Sequence, residues 1–349
     1  MKVFNLSMLM IGAAIGAGFA SGREMVAFFG NEISPWVSFI CGGGIFCISL
    51  MFLYIGSKVK KNSFGEVNQE LLGRFSGFAD VFLLINGFIV LSGMLAGMDS
   101  LFQPIFPLKI KYSLISGIIC VLVVTKGMDK MMKGSGFIVP IIIIALVTVC
   151  LFNYEYSSDS GLAQDIPSAI IYISMNMILC STVFTTLHKF TLKQIVGASA
   201  ITGIVIGVLM FLIILAINKT QTYPYPMPII EMAKNTSMIL YVLSVIAVAI
   251  GIFTTMMTAM SGLTDFFINY AGSRVYSAIV VLIASLIVSN FGFENVIGYL
   301  YPIIGVVGVL YIVVCFTYLT KGRYKRLSKS AKSFFNNGHA NIHKGSKNT

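Results

Sequence analysis

Apolar residues fill ten long runs of the chain, and polar residues collect in the short stretches between them. The runs fall at 4–29, 34–57, 76–101, 110–125, 135–152, 166–187, 194–217, 237–261, 273–290 and 295–319. A helix of about 20 apolar residues crosses a hydrocarbon layer. The pattern therefore predicts an all-α integral membrane protein with ten transmembrane helices. The fourth run is the shortest, and Lys109 and Lys111 at its outer end can snorkel to the interface.

Composition agrees. Of 349 residues, 57% are hydrophobic and 11% charged, against about 25% charged in soluble domains. Mean hydropathy is +0.89. The net charge of +11 would suggest a nucleic-acid partner in a soluble protein. Here its placement follows the membrane. With the N-terminus inside, 19 Lys and Arg residues fall on the cytoplasmic side, 4 fall outside, and Arg23 lies within a run. Basic residues mark cytoplasmic loops, so both termini are expected in the cytoplasm, in the cell membrane. The basic stretch KGMDKMMK at 126–133 keeps its side only if the fourth run crosses. The partners are then a lipid bilayer and a small molecule, with no nucleic acid. The basic tail 321–349 is expected to be a disordered cytoplasmic end that touches anionic lipid. The small residues at 20–22 loosely mimic a signal-peptide end, but four glycines before such an end serve no purpose there.

The runs divide into 1–152 and 166–320, with five in each. Five is odd, so the second block enters the membrane from the opposite side. That is the plan of a five-plus-five inverted repeat. The six cysteines lie in apolar runs without a CxxC pair, and the three histidines form no cluster. There is no Ser/His/Asp arrangement and no phosphate loop. The sequence points away from an enzyme and calls for no cofactor.

The first run departs from an ordinary span. MLMIGAAIGAGFASGREMVAFF, residues 8–29, holds Gly12, Gly16, Gly18 and Gly22, then Arg23 and Glu24. Glycine costs about 1 kcal/mol in a helix relative to alanine. Two readings stand side by side. The GxxxG spacing suits close helix packing. A broken helix would instead expose amides and carbonyls to a mid-membrane site, which is tolerated only beside a cavity. Charges at this depth are costly and functional. Arg23 and Glu24, about one turn above the supposed site, are candidates for an outer gate, with Glu294 as the facing acid.

GAGFASGRE resembles the first-helix break of the amino acid–polyamine–organocation transporter superfamily. Over about residues 1–320, the chain most resembles the YkvI-type family of bacterial membrane proteins within it. The resemblance implies broken helices 1 and 6. It implies a substrate carboxylate held by the amides of Gly16, Ala17 and Gly18, and a sodium ion held by the carbonyls of Gly12 and Ile15 with the hydroxyls of Thr254 and Thr255. Thr258 and Ser261 are alternatives, and each hydroxyl competes with its own helix carbonyls. The sixth run departs from the family pattern because it has no glycine. A break there would fall among Ser174, Asn176, Ser181 and Thr182, and Asn176, Ser181 and Asn86 are the remaining substrate candidates.

The implied function is a secondary active transporter for a small amino acid or related amine, working by alternating access. Sodium is the expected coupling ion because neutral oxygens suffice for it. Proton coupling through Glu24 is the rival. A nutrient or germinant-type receptor on the same fold, binding without active transport, is the reading from another class, and a passive channel is the third.

Overall fold

The computed structural model describes residues 2–61, 64–107, 109–125, 131–154 and 162–320. The tail 321–349 and residues 155–161 of the loop 153–165 lie outside the described residues. Helices α1 (Lys2–Ala14), α2 (Ala17–Ser21) and α3 (Arg23–Phe29) come first, followed by α4 (Val37–Val59) and the short α5 (Phe64–Leu72). Then come α6 (Ser76–Phe102), α7 (Tyr112–Thr125), α8 (Met131–Asn153), α9 (Leu162–Phe184) and α10 (Leu192–Thr220). The short α11 (Pro228–Thr236) precedes α12 (Met238–Ala271), α13 (Arg274–Ser289) and a last helix, Phe293–Thr320.

Among the described residues, six helical stretches are long and apolar enough to cross a membrane: Val37–Val59, Phe64–Phe102, Asp165–Phe184, Leu192–Thr220, Met238–Ile268 and Phe293–Thr320. Four shorter apolar helices accompany them: Val3–Ala14, Tyr112–Thr125, Ile138–Asn153 and Arg274–Ser289. The outer surface is apolar, with Ile204, Ile283, Ile287 and Leu310 among its exposed side chains, while Glu24, Asn86 and Asn176 are buried. This is the inverse of a soluble protein, as hydrocarbon solvent requires. The chain is an all-helical, multi-pass membrane protein.

Local chemistry sets the helix ends. Thr191 and Gln194 form a reciprocal capping box that starts α10. Ser237 accepts the Leu240 N–H at the start of α12, and Gly272 closes that helix at φ 67.

The first run is three helices, not one. The sixth is not broken: α9 is continuous from Leu162 to Phe184, so the break expected there is corrected. Without a glycine its backbone stays helical. The hydroxyls of Ser181 and Thr182 bond back to Ile178 and Leu179 of the same helix. A different irregularity appears in the tenth run, around Gly298 and just before Pro302. The last helix opens with a π turn at Val296–Leu300, a feature that accumulates at functional sites.

Helices α4 and α10 pack backbone against backbone. A Cβ on Gly42 would stand 2.6 Å from the Gly203 carbonyl oxygen and 3.0 Å from Gly207 Cα, whereas Gly43 faces open space. Backbone cannot yield as a side chain does. Gly42→Val is therefore expected to destabilise the fold by about 1–3 kcal/mol, read as a lowered melting temperature in detergent, and Gly43→Ala to leave it unchanged.

Candidate functional site

The chain unwinds at Ile15 and Gly16. The Gly16 N–H turns to the Ala14 carbonyl at 3.1 Å and leaves the Gly12 carbonyl without its helical partner. Gly16 is extended, at φ −82 and ψ −179, and α2 restarts behind it. Its carbonyl accepts the Ala20 N–H at 2.9 Å. Gly22 then takes φ 78, which favours glycine, and starts α3 in a new direction.

Gly12 and Gly16 also show how closely other elements approach. A Cβ on Gly12 would stand 2.6 Å from Val139 Cγ2 of α8, so Gly12 also serves packing. A Cβ on Gly16 would stand 3.9 Å from Thr255 Oγ1, so α12 brings that hydroxyl to the break. Thr255 donates to the Gly251 carbonyl at 3.0 Å. The bond fixes the hydroxyl proton and leaves the oxygen lone pairs free for a cation. Thr254 makes the same bond but also lines a lateral cavity of 630 Å³ with Phe102, Phe253 and Met257. Of the adjacent pair, Thr255 is the one at the break. Thr258 bonds to the Thr254 carbonyl, and Ser261 accepts from Arg274.

Arg23 and Glu24 part company. Arg23 Nη1 lies 3.8 Å from Glu294 Oε1 and donates to the carbonyls of Tyr223 and Tyr225, each at 3.2 Å. One guanidinium thereby ties α3, the 222–227 loop and the start of the last helix together above the break. Glu24 points the other way. It is 3% exposed, and a Cβ on Gly18 would clash with its carboxylate. The Phe19 N–H, the Tyr172 hydroxyl and the Asn176 amide face it. Tyr301 lies on the same side, with its hydroxyl against Gly93 of α6. Glu24 is therefore buried beside Gly18 and faces other groups than Arg23 does, although the sequence pairs the two as gate candidates.

Asn176 is thus brought to the break. Asn86 and Ser181 lie further along their helices. Ser181 is five residues further along α9, about 7 Å by helix rise, and its hydroxyl bonds to Ile178. Asn86 is buried on α6 seven residues before Gly93, about 10 Å away along the helix. Tyr172 and Tyr301 escaped the sequence reading. The signal for Tyr172 was its i, i+4 spacing from Asn176, which puts both on one face of α9. The Glu24 carboxylate lies where a Cβ on Gly18 would stand and faces the Phe19 N–H, next to the amides that the resemblance assigns to a substrate carboxylate.

The all-helical bundle, with its first helix unwound in mid-span, has the LeuT fold of the solved structures it resembles. The chain is similar in fold to MhsT in complex with L-phenylalanine, with a TM-score of 0.64 and 13% identity over 88% of this chain and 87% of that one. It is also similar to a Na+-coupled sialic acid symporter in a substrate-bound outward-open state, with a TM-score of 0.63 and 12% identity over 90% and 78%. In sequence the chain is similar to the uncharacterized membrane protein YkvI of Bacillus subtilis (strain 168), 25% identical over 88% of this chain and 93% of YkvI. The protein YyaD of the same strain is 23% identical over 88% and 94%. The resemblance to YkvI-type proteins read from the first run is met by these relatives. No family model matches the chain.

The two glycines of the break differ in a measurable way. Gly16→Ala meets nothing closer than 3.9 Å, whereas a Cβ on Gly18 displaces the Glu24 carboxylate. Gly16→Ala is expected to keep ligand affinity within about threefold, and Gly18→Ala to weaken it more than about tenfold, since displaced buried polar groups lose their partners. Binding to purified protein checks both, with the melting temperature as the control for folding.

Proposed function

We propose that this chain is a secondary active transporter that carries a small amino acid or related amine by alternating access, coupled to sodium. The carrying observation is the unwound segment at Ile15 and Gly16 with the Thr255 hydroxyl beside it. Sodium is a hard cation that accepts neutral oxygens, and an opened helix supplies carbonyls at the depth where transporters hold ions. The ligand set of this reading is the Gly12 and Ile15 carbonyls with Thr255, and Thr254 at its edge. The likeness to a Na+-coupled sialic acid symporter supports the same chemistry.

In this reading the six long and four shorter apolar helices make ten crossings in two five-helix blocks, 1–152 and 166–320, with an intact sixth helix. Both termini lie in the cytoplasm of a cell whose plasma membrane holds the protein. Arg23, held by Glu294 and two loop carbonyls, is the closing element on the outer side. Glu24 at the break supports a second reading, in which a proton replaces sodium.

Uptake into proteoliposomes tests the proposal. Concentrative uptake of a labelled amino acid or amine is expected to collapse when choline replaces sodium. Thr255→Val is expected to abolish the sodium dependence, and Thr254→Val to retain it. Uptake that ignores choline replacement sinks sodium coupling. If a proton gradient alone drives uptake and Glu24→Gln stops it, the proton is the coupling ion. Binding without accumulation identifies a receptor.

Arg23→Ala is expected to change the transport rate while leaving ligand affinity within about threefold, because closure gates turnover rather than contact. A large loss of affinity at unchanged turnover removes the gate.

A further inference from the structure

Glu24 is an acid without a visible counter-charge. It is 3% exposed, and its Oε2 has no hydrogen-bond partner. Among the described residues no Lys, Arg or His side chain pairs with it. Arg23, its neighbour in sequence, is committed to Glu294 and to two loop carbonyls. The Tyr172 hydroxyl and Asn176 Nδ2 face the carboxylate, yet each is also left without a hydrogen bond of good geometry. Tyr172 is 0% exposed and Asn176 3% exposed. Three buried polar groups thus converge on one place, and one atom of each, Glu24 Oε2, the Tyr172 hydroxyl and Asn176 Nδ2, is left without a well-formed hydrogen bond. Such groups mark functional sites inside membranes, and unsatisfied buried polar atoms call for a partner from outside the chain.

The chemistry of the cluster selects that partner. A carboxylate attracts a cation. The hydroxyls of Tyr172 and Tyr301 lie toward the same place, while the Tyr172 ring is packed against Phe28 and Phe29 at 5.3 and 5.8 Å. The Asn176 carbonyl and the tyrosine hydroxyls add neutral acceptors. An anionic group meets the opposite environment, because the Glu24 carboxylate already fills the space against Gly18. An α-amino acid placing its ammonium on Glu24 would bring its own carboxylate beside another carboxylate.

We propose that Glu24, with Tyr172 and Asn176, is the recognition site for the ammonium group of the ligand, and that the ligand is an organic amine without an α-carboxylate. This deepens the transport reading and rests on it for the existence of a carried ligand.

Binding to purified protein in detergent tests it, using matched pairs: isobutylamine against L-valine, tyramine against L-tyrosine, cadaverine against L-lysine. At least one amine is expected to bind more than about tenfold tighter than its amino acid, and Glu24→Gln to weaken it about 30-fold or more, as loss of one partner of a buried charge pair does. Glu24→Asp keeps the charge and is expected to retain part of the affinity. It serves as the second variant if Glu24→Gln alters the melting temperature. The proposal is overturned if the amino acids bind and the amines do not, if nothing in the panel binds, or if Glu24→Gln binds the amine as well as the wild type. It is also overturned if sodium chloride alone, against choline chloride, stabilises the wild type but not Glu24→Gln, because Glu24 would then hold the metal ion. Uptake separates this idea from the transport reading. Amine binding as expected without accumulation removes transport alone. Accumulation of an amino acid that ignores Glu24→Gln removes this inference alone.

Discussion

A backbone in hydrocarbon must satisfy its own polar groups, and this protein opens its first helix at Ile15 and Gly16. Much of the surrounding structure follows from making that opening bearable. Helix α12 brings Gly251 and Thr255 against the opened segment, α8 closes on Gly12, and α9 supplies Tyr172 and Asn176. The 222–227 loop and α11 cover it, with Ile217, Pro228 and Ile229 packed around Gly22. An opened helix facing lipid would re-form its hydrogen bonds; one enclosed by four helices can keep them free for a guest.

The two readings of the glycines prove compatible. Gly12 packs against Val139, which is the role that close spacing suggests. Gly16 and Gly18 face the opened segment instead, near Thr255 and Glu24. The intact α9 shows the counterpart. With no glycine and with hydroxyls that bond back to their own carbonyls, that helix contributes side chains rather than free backbone. Irregular backbone in the second half appears instead at the π turn of the last helix, one residue before Tyr301. The site therefore combines bare backbone from one half with side chains from the other.

Charge placement divides the molecule by depth. Arg23 holds the outer layer together through Glu294 and the 222–227 loop. At the other end of the bundle, Arg274 pairs with Asp265 at 3.0 Å and donates to the Val124 carbonyl and to Ser261. Nearby in the chain order of the first half, Asn68 joins Asp80 and Tyr311 in a buried network. Between these tied layers lies Glu24, where the charge is left open. A carrier needs that contrast: closing elements that can exchange partners with water, and an interior that only a ligand completes.

The sequence by itself determined the membrane solvent, the order of the apolar helices and the weak point at the first glycine cluster. These are readable because hydrophobic run length, glycine content and charge are local properties of the chain. It did not determine which way Glu24 faces, which threonine reaches the break, or that Asn86 and Ser181 lie further along their helices. Successive residues on one helix point about 100° apart, so a face can be extrapolated only while the helix continues. Gly16 and Gly22 each reset that phase. After two resets, only the packing of α3 against α9 and the last helix decided that Arg23 turns outward and Glu24 turns in.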